Sequence, residues 1–255
     1  MAGHAGGQVI RRGRTDCAHY AGNPLTAPDA EGVSAIVAVR DGERYITQAL
    51  ESILGQSAPP GEVVVVDDGS TDATQAALEP YADRVRVVQQ DPVGVAAALN
   101  TGIAASSGVL LAFLDADDVW TPASLECRLT RLAAPDQPEA VFGRIAQFVS
   151  PELGTAAARS FRFDPEPTRV TMFQTMLIRR SAFHRVGPLA TDYVIGANID
   201  WFSRAQTAGL RAEHVPETVA RRRIHGRNLG ITQRERQSED LVKAVRAHRR
   251  RNFAT

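Results

Sequence analysis

Three carboxylates crowd the end of the apolar run Val109–Leu114: Asp115, Asp117 and Asp118. Aspartates two apart share a face of extended backbone, so Asp115 and Asp117 can converge on one hard cation. A cation held by so few carboxylates bridges to phosphate oxygens rather than filling an all-protein cage. A second acidic pair, Asp67-Asp68, ends the run Val63–Val66 and leads into Gly69-Ser70-Thr71-Asp72. Each pair also has a plain structural explanation. The Asp67-Asp68-Gly69-Ser70 stretch can be turn chemistry. The second cluster can lead into a helix capped by Thr121, with Pro122 at its first position. Late in the chain, Arg221-Arg222-Arg223 precede His225. Guanidinium groups suit an anionic leaving group, and an imidazole can complete a metal shell.

The elements that must carry these groups follow from periodicity. Val33–Val39 predicts a strand. Tyr45, Ile46, Ala49, Leu50, Ile53 and Leu54 then recur at helical spacing, and Gly55 closes that helix. Val63–Val66 predicts a strand covered on both faces, with a helix from Ala73 to Tyr81 after it. Val85–Gln89 predicts a third strand, Gly94–Ser106 a third helix and Val109–Leu114 a fourth, fully buried strand. This alternation implies a parallel sheet with right-handed crossovers. Both acidic turns then lie at the carboxyl ends of strands, the edge where open α/β sheets bind ligands. An unpaired carboxylate could not follow its strand into the core. An acidic crevice that holds a phosphate needs a divalent metal, Mn²⁺ or Mg²⁺.

The bulk composition narrows the class. With 255 residues, 44% hydrophobic and 23% charged, the chain can bury a real core. The formal net charge is zero, which removes any global attraction to nucleic acid or membrane. Cys17 and Cys127 are far apart and match no metal spacing, which fits a reducing compartment. No stretch reaches transmembrane length and no apolar signal core stands near the start. A cytoplasmic location is therefore expected.

Together the motifs resemble a known family. Val33–Thr74 and Gly94–Trp120 look like the nucleotide-sugar-binding half of GT-A type, family 2 glycosyltransferases. The likeness is carried by the opening strand with Glu43-Arg44-Tyr45, by Val65-Val66-Asp67-Asp68-Gly69-Ser70-Thr71-Asp72, by Gly94–Ile103 and by Leu114-Asp115-Ala116-Asp117-Asp118. It implies a Rossmann-like α/β fold with a mostly parallel central sheet flanked by helices. It implies transfer of a sugar, with inversion, from a nucleotide-diphosphate donor, UDP favoured. By resemblance Asp68 meets the base, Glu43 frames the nucleotide, and Asp115 and Asp117 meet ribose, diphosphate and metal. The implied donor contacts are Val39, Arg40, Glu43, Asp67, Asp68, Asn100, Asp115, Ala116, Asp117 and Arg223. The implied metal ligands are Asp117 and His225. The family often has Arg before the Asn of the third helix; here that position is Leu99.

The second half carries the acceptor side. Residues 32–134 form the expected donor half and 135–230 the expected acceptor half. An N-terminal flexible arm over 1–31 and a basic C-terminal helix over 231–255 flank them. Ala123–Ala133 predicts an amphipathic helix, Val141–Val149 a strand, residues 150–169 a loop and Met172–Ile178 another strand. Ile199–Ala205 opens a helix. There the family carries an acidic pair whose second member serves as catalytic base; this chain has Ala197 and Asn198. An amide cannot take a proton from an acceptor at neutral pH. Either Asp200 does this work, or the acceptor arrives already nucleophilic, or the enzyme is weak or inactive. Asp200 also has a plain explanation as a charge favoured at a helix N-terminus. The acceptor is open among peptide, lipid, glycan and small molecule. Nucleotidyl transfer and nucleotide-sugar binding without turnover are the rival activities.

Overall fold

The structure, a computed structural model, describes residues 30–153, 166–193, 196–228, 232 and 239–247. Nearly all of the expected arm, and much of the expected basic helix, lie outside these residues. Residues 239–247 are helical.

The first half is built as its apolar runs dictate. Strand β1 (Val33–Val39) pairs in parallel with β2 (Glu62–Asp67) on one side and with β4 (Leu110–Asp115) on the other; β3 (Arg86–Gln89) pairs outside β2. Helices α1 (Ile46–Leu54), α2 (Thr74–Leu78) and α3 (Val95–Ala105) make the crossovers. The resulting order, β3-β2-β1-β4, reverses direction between β1 and β4. That reversal opens a crevice at the carboxyl ends of the two strands. Both acidic turns border it, because β2 and β4 flank β1.

Beyond β4 the sheet continues through β8 (Leu177–Arg179), β6 (Ala140–Val149), β9 (Ala212–Ile224) and β5 (Val119–Trp120), with β7 (Thr168–Arg169) beside β6. Four of these strand pairings are parallel and four antiparallel, so the sheet is mixed rather than mostly parallel. The cause is visible in the chain order. No α-helix separates β6, β7 and β8 among the described residues, and strands that follow without a crossover pair antiparallel.

Helix α4 (Ser124–Leu132) packs with α1 and α2 on one face of the sheet. Helices α3, α5 (Arg180–Val186) and α6 (Ala197–Thr207) pack on the other. Alternate residues of β1 serve the two sides: Val33, Ala35, Val37 and Val39 face the first layer and Ile36 the second. Helix α3 lies close on the sheet because Gly102 has no side chain; a Cβ there would stand 2.6 Å from Ile36. The second layer contains an aromatic cluster. Phe183 stacks on Trp201 at 5.0 Å between ring centroids, and Phe113 meets Phe173 edge-on at 5.0 Å.

Several local expectations are corrected. Val109 is 67% exposed and stands outside the buried strand, which starts at Leu110. Thr121 does not cap α4: the helix starts at Ser124, and the Thr121 hydroxyl donates to the Thr218 carbonyl at 2.6 Å instead. Met172–Ile178 is a 3-10 turn, Phe173–Thr175, followed by the short strand β8. The long strand β9 was not expected from periodicity. Cys127, buried on α4, is disulfide-bonded rather than a free thiol.

Candidate active site

Strand β4 delivers Asp115 at its last position, and a tight turn brings Asp117 and Asp118 back beside it. The Asp118 N–H donates to the Asp115 carbonyl at 3.1 Å. One carboxylate oxygen from each of the three residues lies within 4.8 Å of the others. Among the described residues this is the one cluster with such spacing. Lost hydration, then the charge of Asp117, pushes the Asp115 carboxyl up to about 7; Arg222 and a hydrogen bond from the Gln174 side-chain amide oppose the rise. Asp118 is pushed well above the usual carboxylate range by burial, and further by Asp117 and Asp115. Its Oδ2 is buried with no hydrogen-bond partner. A buried orphan oxygen among like charges is costly unless a cation answers it. The residues therefore fit the divalent metal that the family resemblance implies, with hard oxygen donors of the right kind.

The neighbouring turns are braced by their own polar groups. Asp68 is 3% exposed and accepts from the Gln90 side chain at 2.8 Å and from the backbone N–H groups of Val93 and Gly94 at 2.9 and 2.8 Å. It anchors the loop that starts α3. Asp67 accepts from the Ser70 N–H at 2.9 Å, while its Oδ2 is buried without a partner. Gly69 turns the chain between them in the left-handed region, at φ 73°. Glu43 accepts from the Ala73 N–H at 3.1 Å and so ties the turn after β1 to the turn after β2. Val39 is buried at the end of β1, and its carbonyl accepts from the Asp68 N–H at 2.8 Å; Arg40 beside it is exposed. Ala116 packs partly buried against the first core layer. Asn100 lies away from this constellation: its side chain clasps the Leu189 backbone, donating to the carbonyl and accepting from the N–H, both at 2.9 Å.

Strand β9 closes the other wall. The Arg223 N–H donates to Asp118 Oδ1, and its Nε donates to the Asp117 carbonyl, both at 2.9 Å. The two remaining guanidinium nitrogens donate to the Gln48 side-chain oxygen and the Ser150 hydroxyl, with the guanidinium between the rings of Tyr45 and Phe148. Arg223, 4% exposed, is thus a brace. Its neighbour Arg222 is the arginine whose charge acts on Asp115 and Asp118. His225 Nε2 lies 2.9 Å from Asp117 Oδ2, which also accepts from the Asn228 amide at 3.1 Å.

Asp200 and Asn198 both lie on the first turns of α6. Asp200 accepts from Arg204 Nε at 2.8 Å, with its side chain 6% exposed. Arg204 also donates to the carbonyls of Val186 and Pro188, so Asp200 belongs to a clasp between α5 and α6. Asn198 is half-buried, and its Oδ1 accepts from the Ile199 N–H at 2.8 Å. Sequence reasoning missed Gln174 and singled out Arg223 rather than Arg222. Gln174 is held by the Trp120 ring N–H, which donates to its carbonyl at 3.2 Å. Nothing in local sequence marks it; only the 3-10 turn before β8 carries it to Asp115.

Comparison with known proteins agrees with this architecture. Glycosyltransferase AglE of Haloferax volcanii is 30% identical over 190 residues, 69% of this chain and 62% of that protein. The mannosyltransferase PcManGT of Pyrobaculum calidifontis, solved with GDP-Man and Mn²⁺, superposes with a TM-score of 0.63 at 26% identity, covering 86% of this chain and 65% of that one. TarS 1-349 of S. aureus, solved with UDP, shares the fold with a TM-score of 0.63 at 21% identity, over 85% of this chain and 64% of that one. In each case the chain spans less than two thirds of the other protein's length. The family model for glycosyl transferase family 2 matches residues 34–187, more than half of the chain, from β1 through α5. The chain has the GT-A fold and belongs to glycosyl transferase family 2.

Proposed function

We propose that this protein transfers a sugar from a nucleotide-diphosphate donor, with UDP favoured as the nucleotide, to an acceptor bound by residues 135–230. The observation that carries this is the Asp115–Asp117–Asp118 cluster at the switch point between β1 and β4, where the charge of Arg222 acts on it. PcManGT, the relative solved with GDP-Man and Mn²⁺, supports a nucleotide-sugar donor and leaves GDP as the alternative nucleotide. No helix among the described residues is long and apolar enough to cross a membrane.

Asp115, Asp117 and Asp118 would hold a divalent cation, Mn²⁺ or Mg²⁺, supplying positive charge to the donor's diphosphate. Arg222 adds a second positive charge where the leaving group develops negative charge. The acceptor attacks the anomeric carbon, the bond from that carbon to the diphosphate oxygen breaks, and the electron pair departs with the nucleoside diphosphate. Attack from the face opposite the leaving group inverts the anomeric centre. Asp200 as the base must first leave the Arg204 clasp. Asn198, in the family's base position, cannot accept a proton. This favours as second reading a protein that binds nucleotide-sugar without turning it over.

The test is product analysis with UDP-, GDP- and dTDP-sugars in Mn²⁺. Release of nucleoside diphosphate supports glycosyl transfer. Formation of nucleoside triphosphate and sugar 1-phosphate on addition of pyrophosphate would move the chain to nucleotidyl transfer, and tight binding without release would establish the second reading.

A further inference from the structure

Arg144 on β6 and Arg169 on β7 are direct cross-strand partners, so both side chains leave the sheet on one face. The Cβ atoms of such partners stand about 5 Å apart, and like charges placed there repel. Both arginines are exposed, and neither has an ion-pair partner among the described residues. The carboxylates of β9 go elsewhere. Glu213 lies 3.8 Å from Arg131 of α4. Glu217 alternates with Val215 and Val219 of the first core layer, and its Oε2 is buried without a hydrogen-bond partner. Phe142, two residues before Arg144, belongs to the second layer, so the arginine pair stands on the side of the sheet that carries α6.

Polar groups from β9 and from the chain after β7 border the pair. Arg169 Nη2 reaches past β6 to His214 Nδ1 on β9, at 3.2 Å. His214 stacks on Phe142 at 5.2 Å between ring centroids, and its Nε2 lies 3.5 Å from the Thr171 hydroxyl. Burial, then the charge of Arg169, lowers the His214 pKa, so at pH 7 the ring is neutral and serves Arg169 as a hydrogen-bond acceptor. The carboxylate cluster is near in the fold. Phe142 meets Phe202 of α6 at 5.8 Å, and Phe202 meets Phe173 at 5.1 Å. Asn198 stands one turn, about 5.4 Å, before Phe202 on the same face of α6. Gln174, next to Phe173, donates to Asp115. The arginine pair and the carboxylate cluster thus flank one aromatic group.

Two uncompensated guanidinium groups on one face call for an anion that offers oxygens to both. A phosphate monoester carries about −1.5 to −2 charge at pH 7 and three strong acceptor oxygens. Guanidinium forks bind such a group bidentately. A carboxylate brings a single charge and would leave the second arginine unanswered. We propose that Arg144 and Arg169 bind a phosphate group carried by the acceptor. This rests on the proposed glycosyl transfer, which makes residues 135–230 the acceptor side.

Titration calorimetry in EDTA, with glucose 6-phosphate, glucuronate and glucose as probes, tests it. Glucose 6-phosphate should bind most tightly and glucose least. Arg144→Gln and Arg169→Gln should each weaken glucose 6-phosphate about tenfold or more, the scale of a lost charge-assisted hydrogen bond. Arg144→Lys keeps the charge and loses the fork, and should fall between Arg144→Gln and wild type. Glucuronate binding as tightly as glucose 6-phosphate would overturn the phosphate assignment. Glucose 6-phosphate binding unchanged in both glutamine variants would overturn the site. Equal weakening of UDP binding in Mn²⁺ would also overturn it, because one site would then serve both ligands. A wild-type protein that takes glucose 6-phosphate and no nucleotide would sink the glycosyl-transfer reading while leaving the phosphate site standing.

Discussion

The Arg223 backbone N–H donates to Asp118 Oδ1 at 2.9 Å across 105 residues of chain. This one bond locks the end of β9 onto the turn after β4. It spends one Asp118 oxygen on structure and leaves the other buried without a partner. The acidic cluster is thus held in place by groups that do not neutralise it.

Separate substitutions distinguish these two duties of Asp118. Asp118→Ala leaves the Arg223 N–H unpaired in a buried place and should cost about 1–3 kcal/mol of folding stability. Asp118→Asn keeps an acceptor and removes the charge. It should raise the melting temperature of the metal-free protein at pH 8 and abolish further stabilisation by Mn²⁺. Thermal melts with EDTA and with Mn²⁺ check both; an Asp118→Asn protein that melts below wild type at pH 8 contradicts the account.

The pH dependence follows from the raised Asp115 carboxyl, at about 7 against an ordinary value of 3.8. The folded protein binds this proton more tightly than the unfolded chain does. Its contribution to stability is therefore complete below about pH 4 and is lost as pH rises through 7. Mn²⁺ competes with the same proton, so its affinity should climb across pH 6 to 8. Melts in EDTA and Mn²⁺ titrations over this range test both trends. Asp115→Asn should flatten the first, and a Mn²⁺ affinity independent of pH would contradict the second.

Gln174 reaches Asp115 from the 3-10 turn before β8. Gln174→Ala should weaken Mn²⁺ binding several-fold by releasing the Asp115 carboxylate. Gln174→Glu should push the Asp115 carboxyl further up by setting a like charge against it, and so weaken Mn²⁺ at pH 7 more than Gln174→Ala does. Calorimetric titration of the two variants side by side decides the order.

The family resemblance puts Asn198 at the position of the base. Asn198→Asp should raise hydrolysis of a bound nucleotide-sugar by about 10²-fold or more, the usual worth of general base catalysis. Asp200→Asn should instead loosen the Arg204 clasp and lower stability. Donor hydrolysis that falls only with Asp200→Asn, in a folded variant, would make Asp200 the base despite its pairing.

Much of the fold from β1 through β4 was legible because its signals are local. Val33–Val39 and Val63–Val66 are continuous apolar runs ended by polar turns, and buried parallel strands read that way. The acidic turns follow at once from where those runs stop. Strand β9 was not legible. Its exposed and buried residues follow no simple alternation, Pro216 interrupts it, and its pairing with β6 shifts register around Arg144. Without that strand, nothing separates Arg221, Arg222 and Arg223, which are adjacent in sequence and differ only in the side of the sheet each serves. The clasp of Asn100 on Leu189 and the reach of Gln174 to Asp115 are contacts over 89 and 59 residues, and only the closed fold reveals them. The mixed character of the sheet escaped for the same reason, since pairing direction in the second half depends on which strands meet.

The central claim is a metal-assisted nucleotide site at the end of β4. Calorimetric titration with UDP, GDP and dTDP, in Mn²⁺ and again in EDTA, tests it most directly. The account predicts selective binding of one nucleotide, strongest for UDP, that depends on the metal and weakens at least tenfold in Asp117→Ala. A folded protein that binds none of the three, or binds them equally with and without metal, would contradict it.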